Sequence, residues 1–175
     1  MGENVAFWSP AYFIVFSLLA FARAMDLLST RVATPNLVLE GNPIAKKLGW
    51  NLGMVFSAVI CIFFAHWPVP ATIIITSSTL VAARNFQQAW LMRSMGEESY
   101  RNWHVARMQE TRLSLYLFCL AGQTALTASV GGALIYFSAP VEGVPMAIGV
   151  GIVAYAGAVA FFTLLSVWRM RSRFS

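Results

Sequence analysis

Charged residues are scarce in this chain: they make up 11% of its 175 residues, against roughly a quarter in a soluble domain. Hydrophobic residues make up 58%. A chain so poor in charge cannot cover itself with a hydrated surface, so the composition excludes an ordinary soluble domain. It predicts one membrane-embedded helical bundle over residues 1–175, because a chain of this length rarely holds more than one domain.

Signatures of metal binding and catalysis are also missing. None of the cysteines and histidines stands at a zinc-type spacing. The chain has no His-Glu-x-x-His, no Gly-x-Ser-x-Gly and no phosphate-cradling glycine loop. We therefore predict no metal site, while the cofactors stay unknown and an enzymatic role stays open. Cys61 and Cys119 fall in different apolar stretches, so we expect two buried thiols and no disulfide.

Apolar stretches dominate the chain. They are long enough to cross a bilayer, which takes about 20 helical residues. They are predicted at Pro10 to Ala33, Pro43 to Trp67, Ala71 to Met95, Leu113 to Ser138 and Pro145 to Trp168. Turn signals separate them at Pro35, Pro68 to Pro70, Gly96 and Pro140 to Pro145. The predicted fold class is all-α, a polytopic membrane protein with five transmembrane helices.

The segment 97–112, between the third and fourth stretches, is polar but keeps helical spacing. One face of this segment carries aromatic and basic residues together with a threonine, namely Tyr100, Trp103, His104, Arg107 and Thr111. We predict an interfacial helix on the cytoplasmic surface of the membrane. A substrate-facing lid containing His104 is the alternative.

The distribution of basic residues predicts the orientation. If the chain crosses five times, one side holds Arg31, Lys46, Lys47, Arg93, Arg101, Arg107, Arg112, Arg169, Arg171 and Arg173. The N-terminus, the Pro68 turn and the Glu142 loop, on the other side, hold none. Short loops rich in Lys and Arg stay in the cytoplasm. We therefore predict an inner (plasma) membrane protein with its N-terminus outside and its C-terminus in the cytoplasm. We expect its net charge of +5 to face anionic headgroups rather than nucleic acid.

Three charged residues fall well inside the predicted spans, away from their ends: Arg23, Asp26 and Arg84. Such residues are costly in lipid and normally face the protein interior. We expect Asp26 to pair with Arg23 or Arg84, and Arg84 is the first partner to test. The arginine left over has three possible roles: to reach the headgroups, to meet Glu40, or to bind an anionic group of a ligand.

Polar residues around the first cytoplasmic turn form the candidate site. Asn42 followed by Pro43 is typical of a helix start, and Glu40 suits the positive end of a helix, so a structural role is open. Convergence of these residues would instead suit a cation, or an acid/base pair with Asp26 and Glu40 as catalytic candidates. The predicted ligand-binding set is Arg23, Asp26, Thr30, Glu40, Asn42, Asn51, Arg84 and Gln88.

The residues Asp26-x-x-x-Thr30 and Glu40-x-Asn42-Pro43 resemble the signature of an uncharacterised family of short prokaryotic multi-pass membrane proteins, classed only as a domain of unknown function. The resemblance covers about the first 50 to 60 residues. It implies a bacterial or archaeal membrane protein and no particular activity.

Small residues recur at helical spacing in the last two stretches, as Ala121, Ala125, Ser129 and Ala133 and as Val150, Ala154 and Ala158. Such rows let helices approach closely, inside the chain or in a homo-oligomer or larger membrane complex. We predict a non-enzymatic subunit or ligand-binding module, with a lipid headgroup as one possible ligand. The alternatives are an intramembrane enzyme acting on a lipid or isoprenoid substrate, and a small transporter.

Overall fold

The computed structural model describes residues 4–138 and 143–171, which form six helices and no strand. In chain order the helices are α1 (Pro10–Ala33), α2 (Pro43–Phe64), α3 (Pro68–Met95), α4 (Glu97–Glu110), α5 (Leu113–Ser138) and α6 (Val144–Arg171). The predicted all-helical architecture is confirmed. The loop residues Pro140 and Glu142 and the basic Arg173 lie outside the described residues.

Local signals explain where the first three helices begin. The Ser9 hydroxyl accepts a hydrogen bond from an amide of the first turn of α1, and Pro10 follows it. Asn42 caps α2 in the same way, as predicted. Helix α3 begins at Pro68 rather than at the predicted Ala71, because proline is tolerated in a first turn, where its missing N–H has no intrahelical acceptor.

Helix α2 is interrupted at Gly49, where φ is 67° and ψ is −173°. Glycine adopts this backbone conformation without the steric cost that other residues meet. The stretch predicted as one continuous helix is therefore a short segment, Pro43 to Leu48, followed by a longer one that ends at Phe64. The short segment carries the exposed Lys46 and Lys47.

Helix α3 lies at the centre of the bundle. It packs along α1 on one side and along α6 on another, while α2 rests mainly on α1 and α5 packs along α6. The buried residues of α3 are small and recur at helical spacing, as Ala71, Ser78, Ala82 and Ala89. Small residues let neighbouring helices approach closely, and this one stripe gives α3 its buried face.

Glycines on α6 allow α5 and α3 to pack closely against it. A Cβ atom on Gly131 of α5 would lie 2.6 Å from the Gly149 carbonyl oxygen of α6. A Cβ atom on Gly151 would lie 2.7 Å from Cβ of Thr76 on α3. Neither position has room for a side chain, so α6 is held between α5 and α3 by backbone contact.

The small-residue rows, for which packing inside the chain was one of two expectations, mostly face outward. The whole α5 row, from Ala121 to Ala133, is exposed, as are Ala154 and Ala158 of α6. The helices instead meet at Gly131, because glycine permits a closer approach than alanine. Cys61 is buried as expected, but Cys119 is exposed, because α5 packs closely only against α6 and leaves its other faces uncovered.

Helices α1, α2, α5 and α6 are long and apolar enough to cross a membrane. Helix α3 is as long as α6 but is not among these candidates, since Arg84, Asn85 and several serines and threonines lower its hydropathy. The chain is therefore a helical bundle of a kind compatible with a multi-pass membrane protein.

Candidate ligand-binding site

The ion pair between Arg23 and Asp26 lies where the first three helices meet. Nη1 of Arg23 is 2.7 Å from Oδ2 of Asp26, one helical turn along α1. The same guanidinium donates to the buried hydroxyls of Ser57 on α2, at 2.9 Å, and Ser78 on α3, at 3.2 Å. One side chain of α1 thus joins α1, α2 and α3.

Neither serine was singled out from the sequence, although Ser57 and Ser78 are the acceptors that allow Arg23 to lie between helices. A hydroxyl at the depth of an arginine is the signal that would have found them, because a guanidinium with five donors needs several acceptors. Nε of Arg23 is buried and has no hydrogen-bond partner among the described residues. The hydrogen bonds of the guanidinium are therefore all made by its two terminal nitrogens.

Arg84 does not pair with Asp26, contrary to the first partner proposed from the sequence. It is half-buried on α3, makes no hydrogen bond or ion pair with another described residue, and lies near enough to the Tyr116 hydroxyl of α5 to interact electrostatically. The face of α3 that meets α1 carries Ser78 and Asn85, and Arg84 is displaced from that face by about 100° of helical rotation.

Two other predicted site residues also lie away from the cluster. Asn51 on α2 and Gln88 on α3 are both exposed. Gln88 shares the face of Arg84, so the same rotation carries it away from α1. Contact between helices depends on the rotation of each helix about its axis, which the sequence pattern left undetermined.

Asn85 connects α3 to the C-terminal part of α1. Its Nδ2 atom donates to Oγ1 of Thr30 at 3.0 Å and to Oγ of Ser29 at 3.3 Å. The Ser29 hydroxyl in turn donates to the carbonyl oxygen of Asp26 at 2.8 Å. Thr30 was predicted as a site residue, whereas Ser29 and Asn85 were not.

The loop between α1 and α2 is held by Glu97, the first residue of α4. The Glu97 carboxylate accepts hydrogen bonds from the Thr34 hydroxyl at 3.2 Å, the Asn36 amide at 2.9 Å and the Val38 amide at 3.3 Å. Glu97 was not singled out from the sequence as a site residue. Its contacts anchor a loop about 60 residues earlier in the chain.

A second contact anchors the same loop to α2. Nε1 of Trp50 donates to the Pro35 carbonyl oxygen at 2.9 Å. The Arg31 guanidinium lies over the Trp50 ring, 5.9 Å from its centroid. Trp50 directly follows the Gly49 break, so the break helps to direct its side chain towards the loop.

Glu40 and Asn42 lie at the end of this loop. The Asn42 amide donates to Oε1 of Glu40 at 2.8 Å, and Oδ1 of Asn42 caps α2. Asn42 therefore has the structural role that the sequence left open. Glu40 lies near enough to Asp26 for the two carboxylates to interact electrostatically.

A partly open cavity of about 100 Å³ lies between α1, α3 and the loop. Its lining residues are Thr30, Ala33, Thr34, Leu39, Glu40, Gly41, Asn85 and Met92. Thr30 and Glu40 are the predicted site residues among them, while Asp26 and His104 do not line it. Within residues 4–138 and 143–171, no group of three or more His, Cys, Asp or Glu side chains is arranged to hold a metal ion.

No protein-family model, curated protein or solved structure matches this chain. The resemblance carried by Asp26-x-x-x-Thr30 and Glu40-x-Asn42-Pro43 stays a prediction.

Proposed function

We propose that this chain is a five-span protein of the plasma membrane, with its N-terminus outside and its C-terminus in the cytoplasm. The contact between Glu97 and the α1–α2 loop supports the fifth span. It joins the end of α3 to the beginning of α2, so if α2 crosses the membrane, α3 must cross back. At 28 residues, α3 is about 42 Å long, and its polar residues are accommodated because it is the central helix.

The basic side chains support the cytoplasmic assignment of this end of the bundle. Lys46 and Lys47, at the start of α2, and Arg93, at the end of α3, are exposed at the same end. Helix α4 then lies along the cytoplasmic surface, with Arg101 and Trp103 exposed to headgroups.

Single cysteines test this topology in a background with Cys61 and Cys119 replaced by alanine. We expect Asn36→Cys and Glu98→Cys to react with an impermeant maleimide only after the membrane is opened, and Asn4→Cys to react in intact cells. In a four-span arrangement, Glu98→Cys and Asn36→Cys would lie on opposite sides. That result would overturn the fifth span.

The function that this site supports best is that of a non-enzymatic ligand-binding module or subunit. The cavity carries this proposal. It is the meeting point of α1, α3 and the anchored loop, and it presents Thr30, Glu40 and Asn85 at the cytoplasmic end of the bundle. A small polar ligand would therefore be held by side chains already fixed by Glu97 and by the α1–α3 contact.

The enzymatic alternative has less support. Acid/base catalysis needs two groups within hydrogen-bonding reach of one substrate. Glu40 lines the cavity, but Asp26 does not, and its Oδ2 atom is occupied by Arg23. A transporter role would be favoured by helix breaks near the membrane midplane, whereas the Gly49 break is close to the cytoplasmic end of α2.

Occlusion of the cavity tests the binding function. Gly41 lies on the cavity wall, and a Cβ atom there would meet no other atom within 4 Å, so Gly41→Phe can be tolerated by the fold. Gly122→Phe is the matched control, since that position on α5 is equally open. We expect native mass spectrometry from polar-lipid nanodiscs to show a bound species on the wild type and the control, and none on Gly41→Phe. Equal occupancy of all three proteins would overturn the proposal.

A further inference from the structure

The chemical class of the ligand follows from which atoms of the cavity lining are already engaged. Thr34 donates to Glu97 and accepts from the Leu39 amide at 3.1 Å, so its hydroxyl is used by the fold. Oε1 of Glu40 accepts from the Asn42 amide, whereas no described donor reaches Oε2. The lining therefore offers a free carboxylate oxygen.

The amide of Asn85 offers a second acceptor, because its orientation is determined by its neighbours. The Ser29 hydroxyl donates its single hydrogen to the Asp26 carbonyl oxygen. Towards Asn85 the Ser29 hydroxyl oxygen can therefore only accept a hydrogen bond. The Asn85 nitrogen must face α1, as it does. Its carbonyl oxygen receives no hydrogen bond from any described residue and is available to a ligand.

Among the described residues, no ion pair reaches the Glu40 carboxylate. Arg23 is paired with Asp26, and Arg31 lies over Trp50. The nearby Lys46 ammonium is 3.5 Å from a loop carbonyl oxygen, and no ion pair joins it to Glu40 within the described residues. A positively charged ligand would neutralise the Glu40 carboxylate.

The lining also distinguishes among cations. A divalent metal would want several carboxylates, and Glu40 is the single carboxylate on the cavity wall. A quaternary ammonium is usually held by aromatic faces, and the lining contains no aromatic ring. A primary ammonium has three N–H donors, which suit Oε2 of Glu40, Oδ1 of Asn85 and the Thr30 hydroxyl oxygen.

We propose that this cavity binds the primary ammonium group of an amine, supplied by an aminophospholipid headgroup or by a small free amine. This inference rests on the proposed binding function. The cavity volume of about 100 Å³ is about that of three water molecules in the liquid. The cavity therefore admits an aminomethyl or aminoethyl group and leaves the remainder of a headgroup outside. Lys46 and Lys47, exposed at the same end, suit the phosphate of such a lipid.

Melting temperatures in nanodiscs of defined composition test the proposal. We expect the wild type to melt higher in phosphatidylethanolamine than in phosphatidylcholine, because a ligand of the folded state stabilises it. If a free amine is the source instead, ethanolamine added to phosphatidylcholine discs gives the rise. Glu40→Gln should weaken the apparent affinity for the amine at least tenfold, whereas the exposed Glu98→Gln should not change it.

Thr30→Val provides a second variant, which keeps the shape of the side chain and removes one acceptor. If Glu40→Gln does not fold, a lowered amine affinity in Thr30→Val still supports the proposal, and an unchanged affinity overturns it. Equal melting in all lipids, with or without ethanolamine, overturns it as well. Inorganic phosphate serves as the opposite probe: stabilisation by phosphate that Gly41→Phe abolishes would overturn the amine ligand and leave the binding function standing.

Discussion

The Arg23–Asp26 ion pair should stabilise the bundle mainly by preventing an unpaired charge between helices. Asp26→Asn leaves the Arg23 guanidinium between α1, α2 and α3 without a counter-ion. Removing one partner of a buried pair costs about 3 to 5 kcal/mol. The two side chains are 21% and 17% exposed, so we expect the lower end of that range, about 3 kcal/mol.

The double variant should cost clearly less than the two single variants added together. Arg23→Met alone leaves the Asp26 carboxylate without a counter-ion, so we again expect the free energy of unfolding to fall by about 3 kcal/mol. With both charges removed, Ser57 and Ser78 lose a donor, but serine hydroxyls in helices can turn to a backbone carbonyl of the preceding turn. The coupling energy should therefore be about 2 to 3 kcal/mol.

The exposed pair Arg107–Glu110 is a matched control. It has the same spacing along a helix and the same nitrogen–oxygen distance of 2.7 Å, but its side chains are 57% and 58% exposed. Its coupling energy should be below about 1 kcal/mol. Unfolding in mixed detergent micelles, followed by circular dichroism, measures both cycles. Additive effects of Arg23→Met and Asp26→Asn would refute the reasoning.

Further predictions concern the loop, the α5–α6 contact and α4. Glu97→Gln should speed hydrogen exchange of the α1–α2 loop amides about tenfold, because charged hydrogen bonds to them are lost. The control Glu98→Gln should leave exchange unchanged. Equal exchange rates in the two variants would contradict the anchoring role of Glu97. Gly131→Ala should lower the melting temperature, since its Cβ atom would lie 2.6 Å from a carbonyl oxygen of α6, while Gly132→Ala, with open space, should not. Burial lowers the pKa of His104, so the unfolded chain binds a proton before the folded one as the pH falls. Stability should be full above pH about 6.5 and decline below it, and His104→Gln should flatten that part of the profile; an unchanged profile would count against burial of the imidazole.

Helix positions could largely be read from the sequence, because apolar length and capping residues are local properties. Asn42 and Pro43 begin α2 as predicted, and the Arg23–Asp26 pair was one of two pairings expected. The Gly49 break was missed, because a single glycine inside an apolar run does not reveal its backbone angles.

The partners of the site residues could not be read in the same way. Polar residues occur around most of α3, so its pattern did not show that Asn85, rather than Arg84, faces α1. The contact of Glu97 with the loop spans about 60 residues of chain, and the local sequence of neither segment indicates that the two are in contact. Both facts depend on how helices rotate and pack, which local patterns leave undetermined.

Met92, which lines the cavity, permits the most direct test of amine binding there. With ¹³C-methyl methionine in phosphatidylcholine nanodiscs, added ethanolamine should shift the Met92 resonance and leave that of Met54, exposed on α2, unchanged. Glu40→Gln should require at least tenfold more ethanolamine for the same shift. A Met92 resonance that does not move, or one that moves equally in Glu40→Gln, would contradict the proposal that this cavity binds an amine through Glu40.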